Sequence, residues 1–357
     1  VGALNAIIAA TASEAGVEVD DIAAVTVVGN TTMQHLFLGV SPTALAQSPY
    51  VPAVTDAVCL SAEALGLATY PDAVVWALPS IAGWVGADTV GVLLATGMHL
   101  QDELALAIDI GTNGEMAMGS RQRVVACSTA AGPAFEGAHL SCGMRAADGA
   151  IDRVCIDGAV AWHTIGESAP RGVCGSGLVD LVAEMLCAGL IDATGMMQPV
   201  EALVAAGQPA LAERVSQNGR RRSFTLATAA EGAGGRPVVV TQRDVRELQL
   251  AKGAIRAGID ILMSELGIGA EDVRVIYLAG AFGNYIRAES ALAIGLMPRL
   301  PNARVVPVGN AAGSGARMAL LSREALDEAA RLAGRVEYLE LSGRPDFQDR
   351  FAEAMVF

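Results

Sequence analysis

The chain has 357 residues, which suits two domains or one large two-lobed fold with an ample core. Its 40 glycines and few aromatics favour close backbone packing over an aromatic binding surface. A net charge of −14 argues against a nucleic-acid partner, and the only basic cluster, Arg220-Arg221-Arg222, is short enough to be a solvated loop.

Val1 is not an initiator methionine, and the chain opens inside a helical pattern (Leu4, Ile7, Ile8, then Gly16 as a stop), so a fragment of a longer protein is expected. No signal peptide is visible. An amphipathic helix over 3–15 leads to a buried strand over 24–28. Gly29-Asn30-Thr31-Thr32 then starts a short helix, and this turn reads either as an anion-holding helix start or as a simple N-cap. Residues 40–72, with Pro42, Pro49, Pro52 and Pro71, read as a long irregular connection.

A strand over 74–78 resumes the pattern, and Pro79-Ser80 leads into a helix expected over 81–97. This stretch is apolar, but Pro79, Asp88 and four glycines interrupt it, so a buried strand followed by a core helix fits better than a membrane span. Asp88 inside such a helix is costly to bury alone, which places it at a water-filled cleft or against a partner.

Leu104 to Gly119 then reads as strand, turn and return strand. The turn is Asp109-Ile110-Gly111-Thr112-Asn113-Gly114-Glu115. A carboxylate at a strand end followed by Gly-Thr-x-Gly suits nucleotide phosphates, because glycines let backbone N–H groups approach an anion and the Asp can hold Mg²⁺ through water. The alternative is a hairpin whose Asn113-Gly114 pair only makes a tight turn.

Further strands follow at 124–129, 154–156 and 159–165, with a loop at 130–137 that carries one acidic residue. Gly172-Val173-Cys174-Gly175-Ser176-Gly177 precedes a helix over 178–188; its glycine-rich start faces a phosphate or adenine, or else Ser176 is only its N-cap. Residues 192–240 look like an insertion containing a hairpin (224–226 and 238–240). A long helix starts at Thr241 with capping-box spacing to Asp244, buries Val245, Leu248, Ala251, Ile255, Ile259, Leu262 and Leu266, and closes at Gly267. Lys252 on it reads as a surface lysine, or as one presented to a nucleotide beside the helix. A strand over 273–278 runs into Ala279-Gly280-Ala281-Phe282-Gly283, small residues against which a flat ring can lie, and another over 304–308 runs into Gly309-Asn310 and a helix to Leu321. A last helix after Ser322 and a tail from Tyr338 complete the chain.

The six cysteines (59, 127, 142, 155, 174 and 187) form no C-x-x-C pair, so neither a zinc site nor a ferredoxin-type set is visible, and free thiols in a reducing cytosol are expected. The order of elements from 104 onward is that of an α/β, RNase H-like lobe, with glycine-rich turns at Gly111, Gly175, Gly280 and Gly313 where ligands of α/β sheets collect.

This pattern resembles the acetate and sugar kinase/Hsp70/actin (ASKHA) superfamily. Asp109-Ile110-Gly111-Thr112 looks like its second phosphate motif, Leu278 to Gly283 like its adenosine motif, and Asp88-Thr89-Val90-Gly91 like its connecting helix with an Asp as base. A narrower resemblance covers nearly the whole chain. V-V-G-N-T-T-M-Q-H-L-F-L-G (27–39), D-I-G-T-N-G-E-M (109–116), A-A-G-P-A-F-E-G (130–137), G-V-C-G-S-G-L-V-D-L (172–181), T-Q-R-D-V-R-E-L-Q-L-A-K-G-A-I (241–255) and L-A-G-A-F-G-N-Y-I (278–286) look like the reductive activators of corrinoid proteins.

That resemblance implies an ATP-dependent iron–sulfur protein that restores Co(I) in a corrinoid methyltransferase system, with no membrane association and with dimerisation left open. It implies the end of a first lobe over 1–104 and a second lobe over 105–357, lacking the family's N-terminal [2Fe–2S] domain and its first phosphate strand pair. Asp109 then holds Mg²⁺, and Gly111, Thr112, Asn113 and Gly114 cradle the phosphates of ATP. Gly175, Ser176, Gly280, Ala281, Phe282 and Gly283 flank the nucleoside, and Asp88 or Glu115 positions water. Two other functions fit the same superfamily, a small-molecule kinase and a nucleotide-gated interaction module without turnover. An acyl-CoA dehydratase activator would need a subunit-bridging cysteine pair, which these isolated cysteines do not suggest.

Overall fold

The apolar runs at 104–129 and 273–309 fold into one mixed sheet. A computed structural model describes every residue except Arg220, Ala281, Phe282 and Asn284. Its largest sheet has the strand order Arg304–Gly309, Val273–Ala279, Leu104–Ile110, Gly114–Gly119, Val124–Thr129, Glu337–Tyr338. Ala105, Leu106, Ala107 and Ile108 are all buried, which is why this strand reads as a continuous apolar run and not an alternating one. Val273–Ala279 and Arg304–Gly309 pair in parallel, with Leu278 opposite Pro307.

The chain forms two compact units. One comprises Val1–Ala107, Ala117–Cys127 and Asn310–Leu339; the other comprises Ile108–Met116, Ser128–Gly309 and Glu340–Phe357.

In the first unit, Ala24–Val27 runs parallel to Val74–Ala77, and Val58–Ser61 lies antiparallel on the other side. Val58–Ser61 and the short helix Ala62–Leu65 correct the expectation of an irregular connection over 40–72. The strand is a sheet edge with Cys59 and Leu60 exposed, so it carries no period-2 burial pattern to read.

The helix expected over 81–97 begins only at Ala87 and ends at Thr96. Before it, Ile81 and Ala82 both donate backbone N–H groups to the Val85 carbonyl, and Gly86 occupies the N-cap. Asp88 therefore sits in the first turn, where a carboxylate complements the helix dipole, and not in an apolar interior. This helix packs on Ala311–Leu321 almost backbone to backbone. A methyl group at Gly91 would lie 2.6 Å from the Ala312 carbonyl oxygen, and one at Gly315 2.0 Å from the Gly91 oxygen.

In the second unit, Gln242–Leu266 opens with the expected capping box. The Thr241 hydroxyl accepts from the Asp244 N–H, and the Asp244 carboxylate accepts from the Thr241 N–H at 2.8 Å. The insertion holds short helices Val200–Ala205 and Pro209–Ala212 and a three-stranded antiparallel sheet, in which Phe224 faces Val240 as the predicted hairpin requires. The tail, unassigned in the sequence, folds as Pro345–Ala354 and packs on the long helix.

Lys252 corrects a third expectation. It is fully buried, its Nζ donates to the Val356 carbonyl at 2.5 Å, and it lies 4.9 Å from the centre of the Phe357 ring. Burial, and then the nearby Arg256 charge, pull its pKa down to about 8. No helix among the described residues is long and apolar enough to cross a membrane.

Candidate functional site

In the second unit the strand Leu104–Ile110 delivers Asp109, half-buried, near its C-terminal end. The Gly111 N–H donates to the Asn113 carbonyl at 3.0 Å, and Gly114 begins the return strand. Neither Asn113 nor Gly114 has a positive φ, so the hairpin does not use the left-handed Asn-Gly turn that the sequence offers. Glycine is needed at 114 for space, since a methyl group there would lie 2.7 Å from Cγ1 of Ile255 on the long helix. Thr112 is exposed at the tip. Its hydroxyl donates to Oε1 of Glu136, and its carbonyl accepts from the Gly132 N–H at 3.0 Å. Glu115 follows one residue into the return strand, half-buried.

The loop at 130–137 connects this turn to a second glycine-rich element. Phe135 is fully buried, and its carbonyl oxygen lies where a methyl group at Gly175 would come within 1.9 Å. Gly177 is equally constrained, 2.1 Å from the Ile151 carbonyl by the same measure. These close approaches let the helix Gly175–Cys187 begin three residues before Leu178, with Cys174 at the N-cap. Ser176 is thus not the cap; it is buried in the first turn with its Oγ 3.3 Å from Cys174 Sγ.

The third element is the bend after Leu278. Gly280 has φ +90°, and a methyl group on it would lie 2.5 Å from Asp109 Oδ1 and 2.7 Å from the Ile110 carbonyl. Its N–H donates to the Gly309 carbonyl at 2.9 Å, and Gly283 donates back to the Gly280 carbonyl at 3.2 Å. Ala281 and Phe282 lie outside the described residues. Asp109, the 111–114 turn, the 130–137 loop, Gly175 and Gly280 are therefore linked by direct approach within one unit.

Among the described residues no three His, Cys, Asp or Glu side chains gather as a metal site. Asp109, half-buried beside an open turn, fits Mg²⁺, which binds through one or two carboxylates and takes its other ligands from phosphate and water.

Asp88 belongs to the first unit. The Ala87 N–H donates to the Gly29 carbonyl at 3.0 Å, and a methyl group at Gly86 would come within 2.5 Å of that same oxygen. Asn30 next to it does act as an N-cap, accepting from the Met33 N–H at 2.9 Å. Burial pushes the Asp88 carboxyl up, against hydrogen bonds from the backbone N–H groups of Thr89, Asp88 and Gly86. A raised carboxyl pKa suits a general base.

Glu136 was not singled out as a site candidate, although it is the single acid in its loop.

Residues 103–357 match the family model described as the C-terminal domain of RACo, the ASKHA domain, and residues 1–101 match the RACo middle region. The chain is 38% identical over 355 residues to the corrinoid activation enzyme RamQ of Eubacterium limosum, covering 99% of this chain and 59% of that protein. It is 32% identical over 270 residues to the [Co(II) methylated amine-specific corrinoid protein] reductase of Methanosarcina barkeri, covering 72% and 46%. A solved structure of a reductive activator for corrinoid, iron–sulfur protein superposes with TM-score 0.89 at 38% identity, over 99% of this chain and 55% of that one. The chain thus spans about half the length of these relatives. It belongs to the RACo family of reductive activators of corrinoid proteins and has the α/β ASKHA fold over its C-terminal part.

Proposed function

We propose that this chain is the nucleotide-binding part of an ATP-dependent activator that returns a corrinoid protein from Co(II) to Co(I). The observation that carries it is the approach of Gly280 to Asp109, which sets the bend for a nucleoside against the carboxylate for a phosphate-bound cation. The relatives' names supply the partner, a corrinoid protein.

In this reading Asp109 holds Mg²⁺ through water, and Gly111, Thr112, Asn113 and Gly114 align the phosphates. Gly175, Ser176, Gly280, Ala281, Phe282 and Gly283 flank the nucleoside, while Asp88 or Glu115 orients the attacking water. What these residues do is align and neutralise charge, as phosphoryl chemistry mostly requires. ATP cleavage would change the contact with the corrinoid partner, and a [2Fe–2S] cluster, where the longer protein carries one, would supply the electron.

Calorimetric titration of this chain with ATP and Mg²⁺ tests the first half: binding is expected, and Asp109→Ala should remove it. Absence of binding by the unmodified chain sinks the proposal. In the full-length protein, ATP should accelerate reduction of a Co(II) corrinoid protein, and Asp109→Ala should abolish that acceleration.

A further inference from the structure

Glu136 has no role so far, yet its side chain reaches the phosphate turn from another element. Its carboxylate accepts the Thr112 hydroxyl hydrogen bond, and it is the only acid in the loop 130–137. The loop is fixed on every side of it. Gly132 donates to the Thr112 carbonyl at 3.0 Å, and Phe135 is fully buried against Gly175. Gly137 has φ +75°, and a methyl group there would lie 2.4 Å from the Met144 carbonyl. The loop backbone is therefore fixed, and the bond from Thr112 holds the carboxylate at the turn.

A threonine hydroxyl has one proton to give. While Thr112 gives it to Glu136, its oxygen offers an arriving phosphate only lone pairs, and the carboxylate behind it adds like-charge repulsion. A polyphosphate with no cation meets both obstacles. One that arrives with a divalent cation brings the charge that cancels the second, and the backbone N–H groups of the turn can then act.

We propose that Glu136 is a positioning residue that selects the metal complex of the nucleotide over the free nucleotide. It does so by placing a negative charge at the phosphate turn, beside the Thr112 hydroxyl that donates to it. This rests on the nucleotide-binding reading above.

The test is ATP affinity of the full chain by calorimetry, with Mg²⁺ and with EDTA, for the unmodified protein, Glu136→Gln and Thr112→Val. Glu136→Gln keeps an acceptor oxygen for Thr112 but removes the charge. It should tighten binding of free ATP about tenfold and shrink the ratio of Mg²⁺-loaded to free affinity by a similar factor, as removing one nearby like charge does. Thr112→Val keeps the charge and should keep the Mg²⁺ requirement, and Glu136→Ala, which also removes the charge and should shrink the ratio likewise, serves if Glu136→Gln fails to fold. A purely structural role would move the melting temperature and leave the ratio alone. If the unmodified chain binds ATP and Glu136→Gln leaves that ratio unchanged, or Thr112→Val abolishes it, the selection role is wrong while the nucleotide reading stands. If the unmodified chain binds no ATP under either condition, both fall.

Discussion

Gly280 approaches Asp109 so closely that a single methyl group on the glycine would lie 2.5 Å from the carboxylate Oδ1. With φ at +90°, the position also resists any side chain for backbone reasons. Gly280→Ala should cost roughly 1–3 kcal/mol of stability through overpacking and strain. If the bend and the carboxylate serve one ligand, the variant should also weaken MgATP binding by at least about tenfold, since small misplacements cost that much at a positioned site. Unchanged calorimetric affinity in a folded Gly280→Ala variant would separate the two bends functionally.

Asp88 should trade stability against function. Burial raises its carboxyl pKa above the value it has in the unfolded chain. Between those two values the folded state binds the extra proton, so stability falls as pH rises through the folded-state pKa and the penalty is complete above it. Asp88→Asn removes the charge, so urea unfolding at pH 7 should show a more stable protein, with the gain vanishing below about pH 4, where aspartate is protonated in both states. The same variant in the full-length activator should lose ATP-stimulated cobalt reduction. A less stable Asp88→Asn protein at pH 7 would mean that its backbone hydrogen bonds outweigh its burial.

The helix pair in the first unit gives a purely structural prediction. Gly91 and Gly315 leave no room for a Cβ on either helix, because each would strike backbone on the other and backbone cannot rotate away. Gly315→Val should destabilise the chain by about 3 kcal/mol or more, at the upper end of overpacking costs. A chemical melt showing less than a third of that would mean the helices can separate at little cost.

Much of the fold was legible because strong local signals agreed with it. Thr241 and Asp244 gave the start of the long helix through cap spacing, and Gly267 gave its end in a left-handed cap. The strand at Leu104 was readable because both its faces are buried. Asp88 was misplaced because Gly83 and Gly86 were not taken as breaks; the turn closed by the Val85 carbonyl stands where those glycines lie against the Tyr50 and Gly29 carbonyls, which are distant in sequence. Ser176 was offered as an N-cap, the alternative to a ligand-facing helix start, because serine favours that position. The helix starts earlier only because Gly175 and Gly177 can lie against the carbonyls of Phe135 and Ile151, which are distant in sequence. The phosphate turn itself was found from its glycines, but Gly114 is a glycine on account of Ile255, a contact that no local pattern encodes.

Lys252 was read as a surface residue by residue type, and its singularity was the better guide. Cationic positions elsewhere in the chain are arginine, so the one lysine marks a place where a compact amine is used. It holds the tail. Its Nζ donates to the Val356 carbonyl, Gln249 Nε2 donates to the Met355 carbonyl at 2.8 Å, and the Phe357 N–H donates to the Ala193 carbonyl at 2.8 Å. Two measurements follow from that burial. An amine-specific acylating reagent should leave Lys252 unmodified in the folded chain and modify it once residues 355–357 are deleted, as read by peptide mass spectrometry. Because burial lowers its pKa from 10.5 to about 8, the unfolded chain binds more protons than the folded one between those values. Stability should therefore rise with pH across that window, by at most about 3 kcal/mol, and Lys252→Met should flatten the rise. Rapid labelling of the intact folded chain at pH 8 would mean that the tail opens readily and that the ammonium is not sealed beneath it.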